Sequence, residues 1–357
     1  MQWFIAPVIW DGDPARIRAV MEKAASGAPT TIGALGGSIT EGAKATAPEN
    51  RYINRIVQYW QSMFPGSDTT LVNAGIGATG SAIGAFRVAD DLLRSRPDLV
   101  IVEYAVNDGI PPQGTDRTET YEAVVRACLA AGAAVLLLFL PRADGRDASA
   151  DQRRVGAHYQ VPMVSVVDAM APHLADGSVR WDDYAADAVH PNDAGHALIA
   201  QHVCACLAGI RAAKSDGMAP IPLPLVGDRY DGGKSLGSNE IVPDEANGFA
   251  ADPAAFRQFP DGWTARDAGA SIEFRLTARV VQLLIRRSVA ADAGYGEITL
   301  QTPYATRHFP VDARFPGGWG DYAMPICVLR ADAAESVKVT LRCDGGTLAL
   351  LRVQYAE

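Results

Sequence analysis

No run of about 18 uninterrupted apolar residues occurs in this 357-residue chain, so no membrane-spanning helix is expected. Basic runs are absent too, and the net charge is −9. That balance argues against nucleic acid or an anionic membrane surface as a partner. The start of the chain, Met1-Gln2-Trp3-Phe4-Ile5-Ala6-Pro7, lacks the basic and long apolar regions of a secretory signal, so a cytoplasmic location is expected. Cysteine is sparse: Cys128, Cys204, Cys206, Cys327 and Cys343 form an odd, scattered set, which is no disulfide framework. Cys204 and Cys206 stand two apart on an expected helix and do not face each other, so they make no metal pair. There is no internal repeat and no low-complexity tract.

What the chain does have is an ordinary globular balance, 48% hydrophobic and 20% charged residues, in a length that suits two domains. Over the first 213 residues strands alternate with helices. Asp13 caps a helix that starts at Pro14 and runs to about Ala25. A strand follows to Leu35, a helix spans about Glu49 to Phe64, and a short strand runs from Thr69 to Asn73. Further helices are expected over Ser81–Arg94, Thr118–Ala131 and Asp151–Tyr159, and further strands over Leu99–Tyr104, Ala134–Leu140 and Val161–Val167. Asn192 caps a last helix to about Ala213. This alternation predicts an α/β domain, residues 1–213, with five parallel strands covered on both faces. Residues 214–225 are proline-rich and read as a linker. From 226 to 357 the period is two: Ile272, Phe274 and Leu276 alternate with Glu273 and Arg275. Glycine turns separate such runs, which predicts an antiparallel β-sandwich.

The stretch Thr30–Gly42 organises the first domain. An apolar run ends in Gly36-Gly37, and Ser38 follows at once. A buried strand ending in a tight turn lifts Ser38 above the carboxyl edge of the sheet, where open α/β sheets place their reacting groups. A serine there needs a base. Asp187-Ala188-Val189-His190 supplies one: a carboxylate three residues before a histidine can take its Nδ1 hydrogen and leave Nε2 free. Asp182 and Asp183 sit too far back for the same turn, and His196 and His202 fall inside a helix. Asn107 ends another strand on the same edge, where a side-chain amide can donate to an oxyanion. Asn73–Thr79 supplies a loop of small residues with backbone N–H groups to spare.

Gly36-Gly37-Ser38-Ile39-Thr40, Asn73–Thr79, Asn107-Asp108 and Asp187-x-x-His190 resemble, in order and spacing, the four blocks of the SGNH/GDSL hydrolase family. The resemblance covers about residues 28–213. It implies Ser38 as nucleophile, His190 as base and Asp187 as its orienting acid. It also implies an oxyanion hole of Ser38 N–H, Asn107 and one loop N–H, from Ala78 or, alternatively, Gly77. The family's usual aspartate before the serine is Gly37 here. The two-domain layout is similar to bacterial acetylesterases that pair this domain with a carbohydrate-binding β-sandwich and deacetylate mannan-type oligosaccharides. That similarity implies an acetylated oligosaccharide substrate and no metal or other cofactor. Trp319, within Gly317-Gly318-Trp319-Gly320, and Trp263 are equal candidates for stacking on a sugar.

Other readings compete. A short-chain lipid or thioester hydrolase uses the same fold. Gly75-x-Gly77-x-x-Gly80 follows a strand and opens a helix, and Glu103 ends the next strand, as in an NAD(P)-dependent dehydrogenase. That reading leaves Ser38, Asn107 and Asp187/His190 without a role. Thr40 breaks any G-x-S-x-G elbow at Ser38, and no Gly-Lys-[Ser/Thr] follows the turn, which sets aside the α/β-hydrolase fold and a P-loop.

Overall fold

In the computed structural model, residues 6–10, 12–109, 117–213 and 217–357 are described. Residues 1–5 and the 214–216 part of the expected linker lie outside them. The chain divides into two compact units, the first built from residues up to Gly227, the second chiefly Asp228–Glu357.

The first unit is organised by a six-stranded sheet: β1 (Val8–Trp10), β2 (Thr30–Gly36), β3 (Thr69–Gly75), β4 (Leu99–Glu103), β5 (Ala134–Phe139) and β6 (Met163–Ser165). Their spatial order is β1-β6-β5-β4-β2-β3. The five strands β2 to β6 are parallel, as the alternation predicts. The short β1 adds an antiparallel edge on β6, which three residues near the start of the chain gave no pattern to reveal. β4 and β5 are buried at every residue, because both sheet faces are covered. On one face Ile32, Ile101, Leu136 and Leu138 pack with residues of α1 (Ala15–Ala25), such as Ile17. α2 (Ser38–Glu41) adds Ile39 and α3 (Tyr52–Met63) adds Ile56 and Trp60 to that cluster.

Helices α4 (Ser81–Asp91), α5 (Ala105–Asp108), α6 (Arg117–Ala130) and α7 (Ser149–His158) follow in order. Close packing is set by small residues where elements touch: a Cβ on Gly156 of α7 would come within 2.9 Å of Leu137. Then come α8 (Val166–Ala175), α9 (Trp181–Tyr184) and α10 (Asp193–Ala212). Here one expectation is corrected. The run Val161–Val167 is β-branched and reads as one strand, yet only Met163–Ser165 is extended. Ser165 accepts the Asp168 N–H and so caps α8, ending the strand within the apolar run. The side chain of Asn192 accepts the Ala194 and Gly195 N–H groups and caps α10.

The chain after α10 is tethered. Glu122, fully buried in α6, accepts the backbone N–H groups of Leu225, Val226 and Gly227 and the Tyr159 hydroxyl. The segment leading to Gly227 is irregular but not free of the unit it leaves.

The second unit is one hydrogen-bonded antiparallel sheet of nine strands among the described residues. They are β7 (Lys234–Leu236), β8 (Glu245–Asn247), β9 (Ala250–Asp252), β10 (Gly262–Ala265), β11 (Ser271–Arg287), β12 (Tyr295–Gln301), β13 (Thr306–Asp312), β14 (Tyr322–Gly345) and β15 (Leu348–Ala356). β11 and β14 pair along their lengths, with register shifts near Ala278/Val280 and Val281/Gln282. Such bulges bend a long strand, so one sheet supplies both layers of a sandwich. Its core includes Ile272, Phe274, Ile298, Val339 and Leu350. All five cysteines are free.

Candidate active site

The carboxyl edge of the parallel sheet gathers the residues singled out above. β2 ends at Gly36, Gly37 is extended, and Ser38 opens the four-residue turn α2. Gly42 closes it with a φ of 105°, a conformation that glycine alone adopts freely. Ser38 Oγ lies 2.9 Å from His190 Nε2. His190 Nδ1 lies 3.0 and 2.9 Å from the two Asp187 oxygens. The Val189 and His190 backbone N–H groups both donate to Asp187 Oδ1 at 2.8 Å. Burial works to raise the Asp187 carboxyl, but the bonds from His190 and Val189 outweigh it and hold the group down at about 2. Asp187 is therefore ionised throughout the neutral range. The rival Asp183 is engaged by Arg180 at 3.0 Å.

Asn107 stands on α5, directly after β4. A Cβ on Gly37 would run into its side-chain oxygen and come within 3.3 Å of the Thr79 carbonyl. In this chain Asn107 and the Thr79 carbonyl close the space beside Gly37.

The structure separates the two loop N–H groups that the sequence left open. Gly77 N–H donates to Glu41 Oε2 at 2.9 Å. Among the described residues no acceptor takes the Ala78 N–H. Ala78 has a φ of 59°, which costs an alanine about 1–2 kcal/mol and is characteristic of functional sites.

Three acids at this edge have no role in the hydrolase reading of the sequence: Glu41 and Asp108 are given none, and Glu103 only that of a ribose acid in the dinucleotide alternative. Glu41 would have been found from its place three residues after Ser38, on the same turn. Glu103 and Asp108 are fully buried. Thr40 Oγ1 donates to Glu103 at 3.2 Å and sits 2.8 Å from the Tyr52 hydroxyl. Burial, with a smaller push from the nearby Asp108 charge, raises Glu103 to about 7 against the pull of the Thr40 hydroxyl and the Gly37 N–H. Burial raises Asp108 to about 7 as well, although Ser81, Gln152 and Arg117 pull it down. Asp108 accepts the Ser81 N–H at 2.8 Å and the Gln152 amide at 3.0 Å. It thereby caps the start of α4.

These contacts correct the dinucleotide reading. Glu103 is sealed beneath Thr40 and cannot reach a ribose. A Cβ on Gly75 would meet the Glu41 backbone, one on Gly77 would lie 3.0 Å from the Glu41 carboxylate, and one on Gly80 would strike Asp108. The protein's own groups fill the space that a pyrophosphate requires, and β3 is an edge strand.

His196 and His202 are buried in α10. His196 accepts the Tyr52 N–H at 3.3 Å and pairs with the Ala43 carbonyl at 3.1 Å, and burial lowers its pKa. In the second unit Trp263 is only 3% exposed and packs edge-on against Phe274, so it is a core residue and not a sugar platform. Trp319 is 70% exposed and stacks on Tyr322 with ring centroids 5.3 Å apart. Among the described residues there is no cluster of metal-ligating side chains and no helix long and apolar enough to cross a membrane.

A mostly parallel sheet with a hydrogen-bonded serine, histidine and aspartate at its carboxyl edge defines the class as a hydrolase fold. The comparisons agree. Residues 34–198 match the GDSL-like lipase/acylhydrolase family. A two-domain esterase (CEX) active on acetylated mannans is 31% identical, with a TM-score of 0.89 over 97% of this chain and 96% of its own. The same esterase co-crystallized with mannopentaose matches at 31% identity and a TM-score of 0.86, over 97% of each chain. No curated relative matches the chain. The chain belongs to the GDSL-like lipase/acylhydrolase family and is a carboxylic ester hydrolase.

Two outcomes follow from these contacts. Gly37→Ala forces Asn107 aside and is expected to lower kcat on p-nitrophenyl acetate by about tenfold or more while the melting temperature changes little; unchanged kcat would show that Asn107 has room to move. The second concerns Glu103 and Asp108, whose ordinary values are 4.5 and 3.8 and whose folded values are about 7. Between those limits the native state holds more protons than the unfolded chain, so their contribution to stability falls as pH rises. Urea midpoints measured from pH 4.5 to 7.5 should decline, and the decline should flatten in Glu103→Gln/Asp108→Asn. An unaltered slope in that variant would assign the trend to other groups.

Proposed function

We propose that the chain removes O-acetyl groups from mannan-type oligosaccharides through an acyl-enzyme formed on Ser38. The observation that carries this reading is the Ser38–His190–Asp187 hydrogen-bond chain, 2.9 Å at its first link and 2.9 Å at its second. The substrate class is supported by the likeness, along nearly the whole chain, to an esterase active on acetylated mannans.

Ser38 Oγ attacks the acetyl carbonyl carbon as its proton passes to His190 Nε2. Asp187, ionised, holds the Nδ1–H tautomer and stabilises the imidazolium that forms. The carbonyl oxygen becomes an oxyanion facing the Ser38 N–H, the Ala78 N–H and the Asn107 amide. The Ser38 N–H stands in the first turn of a helical segment and has no intrahelical acceptor. Collapse of the tetrahedral intermediate breaks the bond to the sugar oxygen, which takes its proton from His190. Water, deprotonated by His190, then attacks the acyl-serine, and acetate leaves with Ser38 Oγ reprotonated. All these groups are side chains or backbone, and no step calls for a metal or cofactor.

The second unit, about residues 226–357, contributes sugar binding in this reading, with Trp319 as the stacking face. An exposed indole stacked on a tyrosine presents a flat apolar surface that suits the C–H face of a sugar ring.

Acetate release from acetylated manno- and xylo-oligosaccharides tests the reading, run beside a p-nitrophenyl series from acetyl to octanoyl. Turnover is expected to fall steeply beyond acetyl, to vanish in Ser38→Ala, and to drop on the order of 10²-fold in Asn107→Ala. Octanoyl turnover without acetate release from oligosaccharides would instead point to a lipid or thioester hydrolase. Trp319→Ala should raise KM for the oligosaccharide several-fold and leave p-nitrophenyl acetate untouched; equal effects on both, or none, would remove Trp319 from sugar binding.

A further inference from the structure

The turn that carries Ser38 and the loop that carries Ala78 leave different strands; Ile76 N–H donates to the Gly36 carbonyl at 3.1 Å and Asn73 Nδ2 to the Thr40 carbonyl at 2.8 Å, and further along the loop the Glu41 side chain joins them. Glu41 closes α2, three residues after Ser38, and its Oε2 accepts the Gly77 N–H at 2.9 Å. The carbonyl of the same peptide unit, Ile76 C=O, accepts the Thr79 hydroxyl at 2.7 Å. Both polar atoms of the Ile76–Gly77 peptide are therefore held by side chains. Thr79 ties it within the loop, and Glu41 ties it to the turn that bears Ser38. The loop lies close against that turn: a Cβ on Gly77 would be 3.8 Å from Ser38 Cβ. The next peptide unit carries the Ala78 N–H, and Ala78 holds a φ of 59° that alanine rarely adopts. A backbone conformation of this kind persists only where its surroundings over-determine it.

We propose that Glu41 is a positioning residue that sets the Ala78 N–H at its distance from Ser38 by gripping the Ile76–Gly77 peptide. This rests on the esterase reading above. In this role Glu41 acts through the loop peptide and not on the reacting atoms. What the position needs is an acceptor that reaches Gly77, and not the negative charge, which works against an oxyanion forming nearby. Glutamine meets that need; aspartate, one methylene shorter, and alanine do not.

The test compares Glu41→Ala, Glu41→Asp and Glu41→Gln with the parent enzyme. It uses p-nitrophenyl acetate turnover and inhibition by methylboronic acid, a probe that becomes tetrahedral on Ser38. Glu41→Ala and Glu41→Asp are expected to lower kcat by about tenfold or more, with KM within about threefold, and to weaken the boronate by a similar factor. Glu41→Gln should stay within about threefold of the parent on both. Where Glu41→Ala does not fold, Glu41→Asp gives the same reading. Parent-like kcat and boronate affinity in Glu41→Ala or Glu41→Asp overturn the role, and so does a Glu41→Gln as impaired as either. Those results leave the esterase reading standing. A parent protein with no ester turnover overturns both.

Discussion

The turn that bears Ser38 is seated on the sheet by backbone crowding, and the rest of the site depends on that seat. A Cβ on Gly36 would run into the Thr40 hydroxyl and lie 2.7 Å from the Glu103 carbonyl. One on Gly75 would meet the Glu41 N–H and lie 2.6 Å from the Thr40 carbonyl carbon. Gly36 and Gly75 are register partners, and so are Gly36 and Glu103. One row across three parallel strands therefore launches Ser38, the Ile76–Thr79 loop and Asn107 from the same height. Register fixes their spacing, because a slip of one residue would turn every buried side chain of a strand to the opposite face.

The base arrives by a different construction. Asp187 and His190 belong to a loop bound together by short-range contacts: Trp181 Nε1 donates to the Asp187 carbonyl at 2.7 Å, and Ala186 N–H donates to the His190 carbonyl at 2.9 Å. What brings this loop to Ser38 is the joint between α10 and residues 43–52. His196 bonds the Ala43 carbonyl and the Tyr52 N–H, and Asp193 takes the Thr46 N–H at 2.9 Å. A buried histidine that is chemically idle thus helps set the distance between the two that react in the proposed mechanism.

The parts of this arrangement that were legible in the sequence are the local ones. Asp187 and His190 interact across three residues, Gly36-Gly37 marks its turn by composition, and the change of period from 3.6 to 2 marks an α/β part followed by a β part. The parts that were not legible depend on contacts between distant segments. Val166 and Val167 look like strand until Ser165 caps the helix they begin. Glu103 ends an apolar strand much as a ribose-binding acid would, and only the packing of Thr40 and Tyr52 over it removes that option. The glycines at 75, 77 and 80 match a phosphate-binding pattern, but the groups pressed against them are Glu41 and Asp108. Trp263 and Trp319 look equivalent as residues; strand β10 buries one, and the loop after β13 exposes the other.

A hydrolase of this kind gains most from donors that are already in place when charge develops, since nothing then has to reorganise. Here the three proposed donors come from the ends of β2, β3 and β4, so their relative positions are fixed by the sheet itself. The least secure of them is the Ala78 N–H, which stands on a left-handed alanine in a loop beyond an edge strand. That is where the structure spends a carboxylate as a clamp. The two acids behind the turn do the opposite duty: Glu103 and Asp108 are fully buried and raised to about 7, so near neutral pH they bind the turn and α4 through hydrogen bonds while carrying less negative charge than ordinary carboxylates. A full pair of buried anions beneath Ser38 would oppose both the attack and the oxyanion. Asp187, held ionised, stands on the far side of the imidazole, where negative charge assists the reaction.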